Sequence, residues 1–89
     1  MRLIRLDGSQ MTDKKAAHTY LQKQLNLKGY VGHNLDALFD VLTTVNEPME
    51  IMIIHKKDMT KQLGGYADKV IRTFKDATTQ NSLIVFKII

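Results

Sequence analysis

Hydrophobic positions in this chain alternate between short continuous runs and longer stretches with helical spacing. The first run, residues 2–6, predicts a short β-strand that ends at the turn signal Asp7-Gly8. Thr12 or Asp13 then supplies a side-chain oxygen that can cap a helix extending to about Leu25. Within this helix, apolar side chains recur at helical spacing and form one stripe: Ala17, Tyr20, Leu21 and Leu25.

A second helix is predicted after a loop at residues 26–33, which contains two glycines. Asn34 is well placed to cap this helix, which runs from Leu35 to about Thr44. Pro48 ends the helical segment because proline cannot continue a helix. The apolar face of the helix comprises Leu35, Leu38, Phe39 and Leu42.

The second half of the chain repeats the alternation of strand and helix. Residues 49–54 form an almost continuous apolar run, which is typical of a strand buried on both faces. A short polar helix over 55–63 ends at Gly64-Gly65, a longer helix follows over 66–79, and residues 83–89 form a last apolar strand. Such alternation predicts parallel strands joined by right-handed crossovers. The fold class is therefore α/β, a three-stranded parallel sheet packed with about four helices in the order β-α-α-β-α-α-β.

Composition limits the classes of protein to which the chain can belong. Its 89 residues are expected to form one domain, 1–89, and 44% of them are hydrophobic. The absence of cysteine excludes disulfides, and we expect a cytoplasmic protein because no run resembles a signal peptide or is long enough to span a bilayer. The net charge of +4 and pI of about 9.5 favour acidic partners such as nucleic acid.

Motifs of catalysis are missing from the sequence, so we expect a protein that is not an enzyme and needs no cofactor. His33, Asp36 and Asp40 have a spacing that could place metal ligands on one face, but no convincing further ligand accompanies them, and we expect no metal site. His18 and His55 lack a partner in sequence and are interpreted as surface or structural residues.

Two carboxylates stand out in the second helix. Asp36 and Asp40 are four residues apart, so both lie on one side of the helix and repel each other mildly. The helix dipole alone explains a carboxylate at Asp36, in the first turn, but not at Asp40. Rigidly held carboxylates can replace phosphate groups and accept charge-assisted hydrogen bonds from arginine or lysine.

The segment that contains this pair resembles the signature of the barstar family. Residues 30–42 read Y-V-G-H-N-L-D-A-L-F-D-V-L and match the pattern Tyr-x-Gly-x-Asn-Leu-Asp-Ala-Leu-aromatic-Asp-x-Leu. Further matches cover nearly the whole chain: Asp7-Gly8, Pro48, Lys61-Gln62-Leu63 and Phe74-Lys75-Asp76. Because many positions match at fixed spacing, the resemblance is specific.

The resemblance implies an intracellular inhibitor that blocks the active site of a basic microbial ribonuclease of the extracellular type. It implies a one-to-one complex, and we expect a free monomer that binds neither membrane nor, directly, nucleic acid. By motif position, Asp40 would enter the catalytic pocket, with Asp36 on the same helix face and Asp76 flanking it. The remaining implied contact residues are Tyr30, Gly32, Asn34 and Phe39. From sequence alone, Tyr30 could equally be a ring packed over the helices, and partial core burial is favoured for Phe39.

Several features depart from this pattern and leave alternatives open. The chain is basic overall, although residues 34–50 contain four carboxylates and no lysine or arginine. Asp76 could simply pair with Arg72 or Lys75 on the surface. The segment 43–46 lacks the aromatic residue often found in the family, so the resemblance implies no contact from this segment. One alternative is an RNA-binding or regulatory module that uses the cations Lys56, Lys57 and Lys61 together with Lys69, Arg72 and Lys75. Another is a barstar fold that binds a partner other than a ribonuclease.

Overall fold

A computed structural model describes residues 1–30 and 32–89 of the chain. Its sheet has three parallel strands in the order β1-β2-β3, with β1 at Arg2–Asp7, β2 at Met49–Ile54 and β3 at Ile84–Ile88. A 3-10 turn (Gly8–Gln10), α1 (Lys14–Leu25) and α2 (Leu35–Thr43) connect β1 to β2. Helices α3 (Lys56–Leu63) and α4 (Gly65–Gln80) connect β2 to β3. The predicted fold is therefore confirmed in strand number, strand direction and element order.

The core lies between the helices and one face of the sheet. Ile4 of β1 pairs in register with Ile51 of β2, which pairs in turn with Phe86 of β3. Ile51 is fully buried in this row, and the Phe86 ring stacks on Phe74 of α4 with centroids 5.0 Å apart. Burying side chains of this size contributes about 2 kcal/mol each, so this row anchors α4 to the sheet.

Burial of β2 on both faces was predicted, and that prediction is wrong. Met49, Ile51 and Ile53 are fully buried, whereas the alternate side chains Glu50, Met52 and Ile54 are only half-buried. Crossovers of the usual right hand in the strand order β1-β2-β3 put every helix on the same side of the sheet, and the exposure of Leu3 and Val85 marks the other side. The opposite side, which we call the open sheet face, is therefore not covered by any of the helices described above.

The predicted helix caps are formed. The Asp13 side chain accepts a hydrogen bond from the Ala16 backbone N–H at 2.8 Å, so Asp13 and not Thr12 begins α1. Asn34 caps α2 in the same way. The two helices of the second crossover meet at Gly64, whose positive φ of 59° turns the chain between them. No α-helix in the described part of the chain is long and apolar enough to cross a membrane.

Candidate partner-binding face on α2

Helix α2 presents its two carboxylates to solvent. Leu38 and Leu42 are fully buried and Val41 is nearly so, which fixes one side of the helix against the core. Asp36 and Asp40 are both exposed on the outward side. Neither carboxylate takes part in a salt bridge within residues 1–30 and 32–89. We call the exposed side of α2 around these two residues the acidic face.

The start of α2 is held by close local packing. The Asn34 side-chain oxygen accepts a hydrogen bond from the Ala37 backbone N–H at 2.8 Å. A Cβ atom at Gly32 would lie 2.8 Å from the Ala37 Cβ, so only glycine fits against the helix there. Gly32 and Asn34 therefore set the direction in which the acidic face points.

Tyr30 is a packed residue. Its side chain is 2% exposed, and its hydroxyl lies 3.4 Å from Nδ1 of His18, a buried residue of α1. The Tyr30 carbonyl also accepts a hydrogen bond from the Gln22 side-chain amide at 2.6 Å. Burial, reinforced by the nearby Tyr66, raises the pKa of Tyr30 to about 12. Of the two interpretations left open by the sequence, the structure has the ring packed over the helices.

Phe39 and Asp76 flank the acidic face in different ways. Phe39 is half-buried and packs against the core, as the sequence indicated, and it immediately precedes Asp40 in α2. Asp76 is exposed on α4, the helix that packs against α2. The surface ion pair with Arg72 or Lys75, the alternative explanation for Asp76, is not formed: the salt bridges among the described residues join Lys87 to Glu50 and His55 to Asp7.

The carboxylates of residues 34–50 are divided between two surfaces. Glu50 lies on the open sheet face, where its Oε1 is 3.2 Å from Lys87 Nζ. Glu47 is exposed after the end of α2 and lines a notch of about 250 Å³ beside Lys28. The acidic face therefore consists of Asp36 and Asp40, with Glu47 at its margin and Lys28 as the nearby cation.

Segment 43–46 forms one wall of this notch. The Asn81 side-chain amide fixes the segment by donating hydrogen bonds to the carbonyls of Leu42 and Val45 at 3.1 and 2.8 Å. The notch is lined by Leu27, Lys28, Val41, Thr44, Val45, Asn46 and Glu47. This segment, which lacks the aromatic residue often found in the family pattern, thus borders a small recess.

The structure gives less support to the other two sites considered from the sequence, an RNA-binding surface and a metal site. A groove of about 440 Å³ brings Lys56 together with Arg72 and Lys75, but Asp68 and Asp76 line the same groove and no aromatic residue does. This mixture of charges does not favour RNA, which needs uncompensated cations and stacking rings. In the described residues no group of three His, Cys, Asp or Glu side chains could hold a metal ion, and His33 Nε2 lies 2.7 Å from the Gln22 side-chain oxygen.

Two histidines have partners that the sequence analysis missed. Asp7 Oδ1 lies 2.8 Å from His55 Nδ1 at the carboxyl ends of the neighbouring strands β1 and β2. His18 Nε2 lies 2.5 Å from the Tyr66 hydroxyl at the start of α4. Parallel pairing of β1 with β2 was predicted and could have suggested the first contact. No local signal indicated the second.

Comparison with known proteins relates the chain to a described family and to a named protein. The family model described as Barstar (barnase inhibitor) matches residues 1–89. The chain is also similar to the protein named "Putative ribonuclease inhibitor YrdF" from Bacillus subtilis (strain 168), with 35% identity over 78 residues that cover 86% of each chain. The family description names an inhibitor and not an enzyme, in agreement with the expectation from the sequence.

Proposed function

The chain belongs to the barstar family, and from that membership we propose that it inhibits a microbial ribonuclease by inserting Asp40 into the active site of the enzyme. Asp36 provides a second carboxylate one helical turn away, and Asp76 contributes from α4. The complex has one inhibitor and one enzyme. It forms in the cytoplasm of the producing cell, before the ribonuclease is exported.

The observation that supports this proposal is that both carboxylates of the acidic face are exposed and without a salt-bridge partner among the described residues. Asp36 and Asp40 are exposed, unpaired within the described residues, and carried on a helix whose other side is packed in the core. Surface carboxylates on helices usually gain stability from neighbouring cations, whereas these two repel each other. The arrangement is therefore better suited to an external cation than to the stability of the free protein.

The chemistry of a ribonuclease supplies such cations. An enzyme that binds polyanionic RNA lines its cleft with arginine and lysine. Asp40 can accept their charge-assisted hydrogen bonds in place of a substrate phosphate. Its helix holds the carboxylate in position before the partner arrives, which reduces the entropic cost of binding.

The residues around the acidic face have separate roles in this proposal. Gly32, Asn34 and the buried Tyr30 hold the loop and the first turn of α2. The half-buried Phe39 makes an apolar contact next to the central carboxylate. The notch beside Val45 receives a side chain from the rim of the enzyme.

A titration calorimetry experiment tests the role of Asp40 directly. The wild type, Asp40→Ala and Asp58→Ala are titrated against a panel of basic microbial ribonucleases, with residual RNA cleavage measured in parallel. Asp58 is an exposed carboxylate in the first turn of α3, so its removal changes the net charge equally, away from the acidic face. Asp40→Ala is expected to weaken binding by at least ~2 kcal/mol because an enzyme cation loses its partner. Asp58→Ala is expected to change binding by less than about 0.5 kcal/mol.

Two results would contradict parts of the proposal. Tight inhibition that is equally affected by both substitutions would retain the ribonuclease but remove Asp40 from the centre of the interface. Absence of binding to every enzyme in the panel would count against ribonuclease inhibition itself and favour a different partner for the same fold.

A further inference from the structure

A second recess, separate from the acidic face, lies between the starts of three helices. Its volume is about 460 Å³. It is enclosed by the first turn of α1, the cap of α2 and the beginning of α4, and its lining residues are Lys14, Lys15, His18, His33, Asn34 and Tyr66. We call it the cationic recess because every ionisable group in this lining, Tyr66 excepted, is a lysine or a histidine.

The lysines that line the cationic recess have no salt-bridge partner among the described residues, and the carboxylate next to them in sequence, Asp13, caps α1 and shares a neighbouring groove with Lys15. No carboxylate is among the lining residues, and neither Lys14 nor Lys15 takes part in a described salt bridge. Both lysines lie in the first turn of α1, where the helix dipole favours anions and disfavours cations. The pKa of His18 is lowered, first by burial and then by the nearby charges of His33 and Lys14.

The polar groups of the recess are mainly hydrogen-bond donors. The Asn34 side-chain oxygen is occupied by the Ala37 N–H, which leaves the amide NH₂ as its free group. His33 Nε2 faces the Gln22 side-chain oxygen and so carries a proton at that nitrogen. Lys14 Nζ lies 4.7 Å from the centre of the Tyr66 ring, a contact that holds the ammonium at the recess.

We infer that the cationic recess binds a phosphate group, either free or carried on a small ester such as a nucleoside monophosphate. A phosphate would neutralise the two lysines and accept hydrogen bonds from ammonium and amide donors at a helix start. The volume lies within the range of small-molecule sites, so an attached group can be accommodated. The inference does not depend on ribonuclease inhibition, because it concerns a small ligand and shares only Asn34 with the residues of that proposal.

Nuclear magnetic resonance titration of the full chain with sodium phosphate, at constant ionic strength maintained with chloride, tests the inference. Saturable shifts of the His18 and His33 ring signals are expected, together with an upward shift of the His18 pKa as a nearby anion stabilises imidazolium. Adenosine 5′-monophosphate provides a second arm. If adenosine 5′-monophosphate binds more tightly than inorganic phosphate, the ligand is a phosphate ester. If its affinity is equal or lower, the ligand is the free phosphate ion.

The chain offers a closely matched control for the lysine pair. Lys14→Gln/Lys15→Gln is compared with Lys56→Gln/Lys57→Gln, since both pairs are exposed and occupy the first two positions of a helix. The first double variant is expected to weaken phosphate binding about tenfold, and the second to leave it unchanged. Linear, unsaturated shifts, or equal losses in both variants, would show only nonspecific attraction of phosphate to a basic protein and would overturn the inference.

Discussion

Asp7 connects the carboxyl ends of two strands through one oxygen atom. Its Oδ1 lies 2.8 Å from His55 Nδ1 and accepts hydrogen bonds from the Ser9 backbone N–H and hydroxyl at 2.9 and 2.7 Å. The His55 hydrogen bond, followed by those from Ser9, lowers the pKa of Asp7 from 3.8 to about 2. His55 has a left-handed backbone conformation with φ of 56°, which a non-glycine residue adopts at some energetic cost. The contact to Asp7 helps to hold it there.

Stability at acid pH should therefore depend on Asp7. A carboxylate with a lowered pKa contributes stability that is complete above its ordinary value of 3.8 and is lost as the pH falls towards about 2. Asp7→Asn is expected to lower the free energy of unfolding by about 1 kcal/mol at pH 6, since the side chain is partly exposed. Urea denaturation between pH 6 and pH 2 measures the difference. The wild type and variant curves should converge at the acid end, and a constant difference would show that the ionised form is unimportant.

Residue contacts across the fold were the least predictable features of the sequence. The spacing of Asp36 and Asp40 was enough to place both on one exposed side of α2, because helical geometry is local. The buried Tyr30 contacts His18, twelve residues away on another element, and no periodic pattern encodes that contact. Helix spacing is thus enough to locate a candidate site. The tertiary structure is needed to tell which of its residues are exposed for contact and which are buried and support them.

The junction between α3 and α4 shows how element boundaries follow from backbone geometry. Gly64 has φ of 59° and ψ of −136°, a combination that L-residues rarely adopt, and it ends α3. Gly65 is the first residue of α4, lacks a positive φ, and has open space where a Cβ atom would be. The sequence indicated both glycines as a helix stop, yet only one is needed for the turn and the second already belongs to the next helix.

The two glycines should consequently respond in opposite directions to the same substitution. Gly64→Ala is expected to destabilise the protein by about 1 kcal/mol or more because alanine is strained at that φ. Gly65→Ala is expected to stabilise it by roughly 0.5 kcal/mol because alanine restricts the unfolded chain and favours the helix. Thermal and urea unfolding of both variants provides the comparison. Equal effects of the two substitutions would contradict the assigned boundary.

Local signals predicted the elements more completely than their packing. Asp13 and Asn34 cap α1 and α2 as expected, because each cap is a contact within three residues. The 3-10 turn after β1 was not predicted. The Asp7 side chain caps this turn, and Gly8 packs tightly against the backbone carbonyl of His55. The second contact joins residues far apart in sequence, so no local pattern indicates it. The apolar run of β2 was assigned to a strand buried on both faces. Apolar composition alone does not show whether helices cover one face of a sheet or both.

On the scale of the whole molecule, topology separates the surfaces by their chemistry. All helices lie on one side of the sheet, with the acidic face on α2 and the cationic recess at the helix starts. The open sheet face combines exposed apolar residues with the Lys87–Glu50 ion pair. The net charge of +4 is therefore a poor guide to any one surface, because a partner responds to the local field. A protein with a net positive charge can therefore carry an acidic face.

Because helices cover only one face of the sheet, two adjacent residues of β3 should respond differently to the same substitution. Ile84 is 4% exposed on the helix side, whereas Val85 is 46% exposed on the open sheet face. Ile84→Thr should cost about 2 kcal/mol or more in unfolding free energy, because it removes buried apolar volume and introduces a hydroxyl into the core. Val85→Thr should cost less than about 0.5 kcal/mol, since threonine is also β-branched and its hydroxyl is solvated. Urea denaturation of both variants at low protein concentration measures these costs. A large cost for Val85→Thr would mean that another layer covers the open sheet face in solution, and sedimentation at increasing concentration would then reveal whether that layer is a second copy of the chain.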